Sequence, residues 1–157
     1  VIHTGRFFAG NGVCGHERAQ LCPKAAPGRV QHDLVGIADL SPDNARTNLA
    51  RVGWNAERLT ASSLDDAVKN GTTHVGDDWQ SLVRHPAVDV VVECTGSPLH
   101  AVDHILEAFE NRKHVVNVTV EADAFCGPFL ATRAQTAGVV YSLAFGDQPA
   151  LICDLFD

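Results

Sequence analysis

The stretch Val88–Val120, VDVVVECTGSPLHAVDHILEAFENRKHVVNVTV, decides the fold. Asp89–Cys94 is a short, nearly continuous apolar run rich in β-branched residues. Such a run suits a strand buried on both faces, as in a parallel sheet. Thr95-Gly96-Ser97-Pro98 breaks it, with Ser97 placed to cap a helix and Pro98 at the first helical position. Leu99, Val102, Leu106 and Phe109 then recur at helical spacing, which predicts an amphipathic helix whose apolar stripe packs on the sheet. Asn111-Arg112-Lys113 closes that helix with positive charge at the negative end of its dipole. His114–Val120 reads as the next strand. Strand, helix and strand in so few residues make a right-handed βαβ unit.

Upstream, Leu34–Asp39 is a second apolar strand, ending in an acid. Ser41-Pro42 starts a helix that runs to about Val52 and closes at Gly53. Leu59–Ser62 leads into a short helix over 64–69, Thr72–Val75 reads as a short edge strand, and Asp77 or Asp78 opens a helical turn through Trp79, Leu82 and Val83 that Pro86 stops. Downstream, Glu121–Cys126 is a loop or helical turn. Pro128 opens a helix over 129–137 closed by Gly138, Val139–Ala144 is a further strand, and Gly146–Pro149 starts a last helix over 150–157. The alternation predicts an α/β fold: a doubly wound, mostly parallel sheet with helices on both faces.

The opening residues, VIHTGRFFA, must supply the first and central strand of such a sheet. His3, Thr4, Gly5 and Arg6 interrupt it, leaving Arg6–Ala9 as the usable part. Gly10-Asn11-Gly12-Val13-Cys14-Gly15 follows, a literal Gly-x-Gly-x-x-Gly, and a polar helix over 13–21 comes next. In a dinucleotide fingerprint the first glycine allows the tight turn and the second lets the backbone approach a pyrophosphate. The third permits close helix–strand packing, and Val13 opens the helix whose free amides receive the anion. A flexible glycine loop is the plain alternative. The carboxylate at the tip of the second strand, Asp39, decides between them, because the fingerprint needs an acid there for the adenosine ribose hydroxyls. Asp39 favours NAD over NADP, while Arg46 and Arg51 on the next helix leave NADP open. A helix-start charge is the other role open to Asp39.

Composition sets limits. The chain has 157 residues, about one domain, which is hydrophobic to 45% and charged to 20% with a net charge of −7. With no basic run, nucleic acid and anionic membranes are poor partners, and no apolar stretch reaches the roughly 20 residues of a membrane span. Cys14, Cys22, Cys94, Cys126 and Cys153 are odd in number and lack Cys-x-x-Cys spacing, so reduced thiols in the cytoplasm are expected rather than disulfides or structural zinc. The absence of Met and the end inside a helix suggest a piece of something longer. Residues 1–157 are then a dinucleotide-binding domain cut at its last helix, with the substrate domain missing.

Several stretches carry a family likeness: Val35–Asp39, Val92–Gly96, Lys113–Asp123, Ala137–Ala144 and Gly146–Ala150. From Leu34 onward the chain resembles the nucleotide-binding domain of homoserine-dehydrogenase-like oxidoreductases. The likeness is to the branch that carries a SAF domain and includes deoxyxylulose-phosphate-reductoisomerase-like enzymes. It implies a Rossmann-type fold and an NAD- or NADP-dependent oxidoreductase. The substrate would be a small hydroxy or keto compound, phosphorylated or not, and the full-length protein a homo-oligomer. On the same likeness Gly10, Gly12, Val13 and Gly15 hold the pyrophosphate and Asp39 the ribose. Cys94, Thr95 and Gly96 line the cofactor beyond the fourth strand, and Asn117 to Thr119 approach the nicotinamide. The Glu-Lys-Pro signature of glucose–fructose-type oxidoreductases is absent where Val120 and Glu121 stand. No catalytic acid or base is identified: His100, Glu121 and Asp123 are candidates, each with a structural role as the plainer reading, and Cys94 lacks a partner His. The eight histidines offer no metal motif, since His100 and His104 lack the intervening Glu. In the likeness the acid/base residue, often a lysine, lies in the following domain. The competing functional reading is a non-catalytic Rossmann module, either a degenerate remnant or a redox-sensing domain. A third is a similar crevice that takes another adenine nucleotide.

Overall fold

A computed structural model describes residues 7–11 and 34–144, and the expectations placed on 1–6, 12–33 and 145–157 lie outside the described residues. Six parallel strands form one sheet: β1 (Phe7–Asn11), β2 (Leu34–Asp39), β3 (His74–Gly76), β4 (Val90–Glu93), β5 (His114–Asn117) and β6 (Tyr141–Leu143). Their spatial order is β3-β2-β1-β4-β5-β6. This is the doubly wound order in which two βαβαβ halves meet at β1 and β4. The Rossmann-type fold expected from the strand and helix pattern is what the chain adopts.

β1 is the joint. Ala9 pairs with Ile37 on one side and Val92 on the other, while Gly10 and Asn11 continue the ladder against Ala38 and Asp39. The strand therefore runs two residues beyond Ala9, the limit expected from the sequence. Backbone pairing explains the difference, because a parallel ladder needs amides and carbonyls rather than apolar side chains. Gly10, expected in the turn, is the fourth residue of the strand.

Helices α1 (Pro42–Arg51), α2 (Leu64–Asn70), α3 (Trp79–Arg84), α4 (Pro98–Glu110) and α5 (Val120–Ala137) connect the strands. The largest core cluster joins Val91 and Val115 of the sheet to Leu82 and Val83 of α3, Ile105, Ala108 and Phe109 of α4, and Leu130 and Ala134 of α5. Ala45 and Leu49 of α1 pack separately with Leu34, Ile37 and Val75. Gly36 on β2 lets α3 come close: a Cβ there would stand 2.6 Å from Leu82 Cδ1 and 2.9 Å from Leu64 Cδ2.

Three local expectations need correction. On α4 the fully buried face is Ala101, Ile105 and Ala108 with His104 and Phe109, whereas Leu99 is 70% exposed. Val102 and Leu106 are only partly buried at the margin. α5 packs closely against this helix, and small side chains on the buried face suit that approach. β5 stops at Asn117, and α5 begins at Val120 rather than after Pro128. The expected loop over 121–126 is helical, and a break at Cys126 (φ −145°, ψ 24°) separates it from the part that follows Pro128.

Lys113 corrects the third. Rather than facing the dipole of α4 from solvent, it is 8% exposed, and its Nζ donates to His85 O at 2.9 Å and Val88 O at 2.7 Å. Burial lowers its pKa, against the opposing charge of Asp89. Arg112 takes the left-handed turn conformation (φ 57°) that lets the chain bend inward. Lys113→Met removes the ammonium from both carbonyls, of which His85 O keeps the Val88 N–H as a donor. It is expected to cost about 1–3 kcal/mol in urea unfolding, where an unchanged midpoint would contradict this role.

Candidate functional site

The site is built from strand ends. In a parallel sheet of this order every strand leaves on the same edge, and the helices diverge to opposite faces between β1 and β4. That edge carries Asn11 opposite Asp39, and Glu93 opposite Asn117. Gly10, Asp39 and the Cys94–Ser97 turn are thereby brought to one side of the sheet. Gly12, Val13 and Gly15 lie outside the described residues.

Asp39 is half-buried at the tip of β2, and its Oδ1 accepts from Ser41 N at 2.7 Å. Burial raises its pKa, offset by that hydrogen bond. Ser41 itself makes no side-chain cap on α1, so the carboxylate two residues earlier does part of that work. One carboxylate oxygen is thus committed to the turn. Arg46, a candidate for a 2′-phosphate, donates instead from Nη2 to Val75 O on β3 at 3.0 Å. Arg51 is exposed near the end of α1.

Beyond β4 the chain turns sharply at Gly96, whose φ of 72° suits glycine. Thr95 N donates to Glu93 Oε1 at 3.2 Å, and Gly96 N donates to Thr119 Oγ1 at 3.0 Å. Ser97 N reaches Thr95 Oγ1 at 3.4 Å. The three amides of the turn are therefore tied to the protein. What the turn offers outward is the exposed Gly96 and the partly exposed Thr95 and Ser97. Cys94 is 3% exposed, and Asn117 and Thr119 are fully buried. These three expected cofactor contacts form the floor beneath the turn. Asn117 is spent on that floor: its Oδ1 accepts from Thr119 N at 3.0 Å and its Nδ2 donates to Thr119 O at 3.1 Å and Tyr141 Oη at 3.2 Å. Tyr141 Oη in turn donates a hydrogen bond to Asp123 Oδ1 at 2.9 Å. Burial and the Asp123 contact raise the tyrosine's pKa, so it stays a neutral donor.

The acid/base candidates are similarly engaged. His100 Nδ1 lies 2.8 Å from Ser97 Oγ on the helix surface, where the serine had been expected to cap the helix. Asp123 holds Tyr141, and Glu121 is exposed in the first turn of α5. Among the described residues no cluster of His, Cys, Asp or Glu could hold a metal ion, and no helix is long and apolar enough to cross a membrane.

Sequence reasoning missed Glu93 as a site residue. It ends the apolar β4 run and is 1% exposed. His104 Nδ1 stands 3.4 Å from its Oε1, and the imidazole packs on Trp79 with ring centroids 4.3 Å apart. Glu93 Oε2 is buried with no hydrogen-bond partner. Burial pushes the carboxyl pKa up, but His104, Thr119 and Thr95 outweigh it and the result lies below the ordinary value of 4.5. A carboxylate inside an apolar run was itself the signal, since charged residues are almost never fully buried without a partner.

Residues 24–143 match the family described as Homoserine dehydrogenase, NAD binding domain. The chain is 29% identical over 107 residues to a homoserine dehydrogenase of Pseudomonas aeruginosa, an alignment covering 67% of this chain and 25% of that protein. It is 39% identical over 64 residues to a homoserine dehydrogenase of Methanocaldococcus jannaschii, covering 38% and 19%. The chain thus spans about a quarter or less of the length of these relatives. Among solved structures it is similar in fold to a homoserine dehydrogenase of Thiobacillus denitrificans (TM-score 0.62, 20% identity, 88% of this chain and 29% of that one). It is also similar to an NAD binding oxidoreductase of Klebsiella pneumoniae (TM-score 0.55, 23% identity, 97% and 38%).

Because the folded Glu93 has a depressed pKa, the stability it contributes is complete above pH 4.5 and lost as pH falls through its folded value. Wild type is therefore expected to lose unfolding free energy more steeply than Glu93→Gln below pH 4.5, with a constant difference between them at higher pH. Parallel curves across the acid range would count against an ionised Glu93.

Proposed function

The chain belongs to the homoserine dehydrogenase NAD-binding domain family, whose cofactor is NAD or NADP, and on that premise we propose that it binds NAD across the crevice between β1 and β4. One observation carries this reading: the end of β1, the acid at the tip of β2 and the Gly96 turn after β4 share one edge of the sheet, at the point where the strand order reverses. The free oxygen of Asp39 accepts from the adenosine ribose hydroxyls. Gly10, Gly12, Val13 and Gly15 accommodate the pyrophosphate. Thr95 and Gly96, backed by Cys94, Asn117 and Thr119, form the wall for the nicotinamide half, and a glycine with no Cβ on the exposed turn allows close approach of a flat ring. The fit is supported by the turn's rigidity, since its amides are already satisfied.

NAD rather than NADP follows from the same residues. A 2′-phosphate would meet the Asp39 carboxylate, and the guanidinium that could neutralise it is held by Val75 O.

The bound nicotinamide supplies the hydride donor or acceptor. In the whole protein that hydride passes to or from a small hydroxy or keto compound. The relatives named homoserine dehydrogenase make an amino-acid alcohol the first substrate to test, ahead of a phosphorylated one. His100, Glu121 and Asp123 are each exposed or engaged elsewhere, so this chain binds cofactor without turning over substrate alone. A separate substrate domain, a homo-oligomeric full-length protein and a cytoplasmic location belong to the same reading.

Titration calorimetry on the folded chain tests it. NAD is expected to bind at least about tenfold tighter than NADP. Asp39→Asn, which removes a charge-assisted acceptor, is expected to weaken NAD about 10- to 100-fold and narrow the preference. Binding of neither nucleotide defeats the proposal.

A further inference from the structure

The Glu93 carboxylate is more than a brace. It sits at the end of β4, the first strand of the second half of the sheet, beside the crossover point. Each half of a doubly wound sheet faces one mononucleotide. With Asp39 placing adenosine on the half that contains β2, the half that contains β4 faces the nicotinamide. Glu93 is 1% exposed, with one oxygen shared between Thr95 N and His104 Nδ1 and the other without a hydrogen-bond partner. A carboxylate buried this way, when ionised, projects its field over a few ångströms with little screening. Its second oxygen has no partner in hydrogen-bond geometry, although the Thr119 hydroxyl also favours the carboxylate, so the carboxylate is incompletely satisfied, which is costly unless something else gains from it.

Nicotinamide carries a positive charge on its ring when oxidised and none when reduced. A fixed carboxylate beneath the ring's place therefore acts on one redox form and not on the other. We propose that Glu93 is a positioning and electrostatic residue for the nicotinamide half, clamping the Thr95–Gly96 turn through Oε1 and favouring the oxidised cationic ring over the reduced neutral one. His104 and Trp79 hold it in place: the imidazole fixes one oxygen and the indole packs against the imidazole. The inference rests on the NAD-binding reading above and adds a direction to it, since a site that binds the oxidised cofactor more tightly makes the bound reduced form a better hydride donor to a carbonyl.

The test is binding, not turnover, and uses three ligands: NAD+, NADH and ADP-ribose, which has the adenosine and pyrophosphate but no nicotinamide. Glu93→Gln keeps the shape and an oxygen for Thr95 N while removing the charge. It is expected to weaken NAD+ about tenfold, the scale of a partly offset charge pair at an effective dielectric near 20. NADH and ADP-ribose should change by less than about twofold. Glu93→Asp keeps the charge and is expected to keep the NAD+ to NADH ratio, which also serves should the glutamine variant fail to fold. An unchanged ratio in Glu93→Gln overturns the proposal, as do equal losses for all three ligands or a lost ratio in Glu93→Asp. Wild type that binds neither NAD+ nor ADP-ribose removes the NAD-binding reading, and this inference with it. Wild type that binds all three, with a ratio insensitive to Glu93, removes this inference alone.

Discussion

The structure depends on β1 being paired on both sides. Phe7–Ala9 shares backbone hydrogen bonds with β2 on one flank and β4 on the other. Without it the other five strands fall into two pieces, β3-β2 and its helices against β4-β5-β6 and theirs. A doubly wound sheet offers a ligand crevice where such halves are joined edge to edge with their crossovers running to opposite faces. Five residues thus hold in register an edge that takes Asp39 from one half and Gly96 from the other.

How much of this was legible follows from what each residue answers to. β2, β4, α4 and β5 were legible because buried parallel strands need unbroken apolar runs and the helix between them carries Pro98 at its start. β1 was read weakly because its neighbours His3 to Arg6 are polar, yet the ladder asks only for backbone and is closed by partners far along the chain. The face of α4 was read from its largest side chains, while packing against α5 selected its smallest, Ala101 and Ala108. Lys113 reads as a dipole partner because sequence shows charge and not which carbonyls lie within reach of the ammonium.

The site was half legible. Asp39 and the Gly96 turn stand where spacing put them, since both are fixed by strand ends. The roles of Asn117, Thr119 and Glu93 were not readable, because a buried polar residue declares itself through its partners. Asn117 is spent on Thr119 and Tyr141, and Glu93 on Thr95 and His104. The polar groups of the region form two layers: an outer one able to meet a ligand and an inner one that sets the outer in place.

The outermost strands, β3 and β6, have three residues each. A sheet margin is a template on which a foreign strand can add, and its hazard grows with the length of unpaired backbone it shows. Three residues span about 10 Å, too little to seed stable extension. On β3 the middle carbonyl is already occupied by the Arg46 guanidinium, so an arriving strand would find its central acceptor taken.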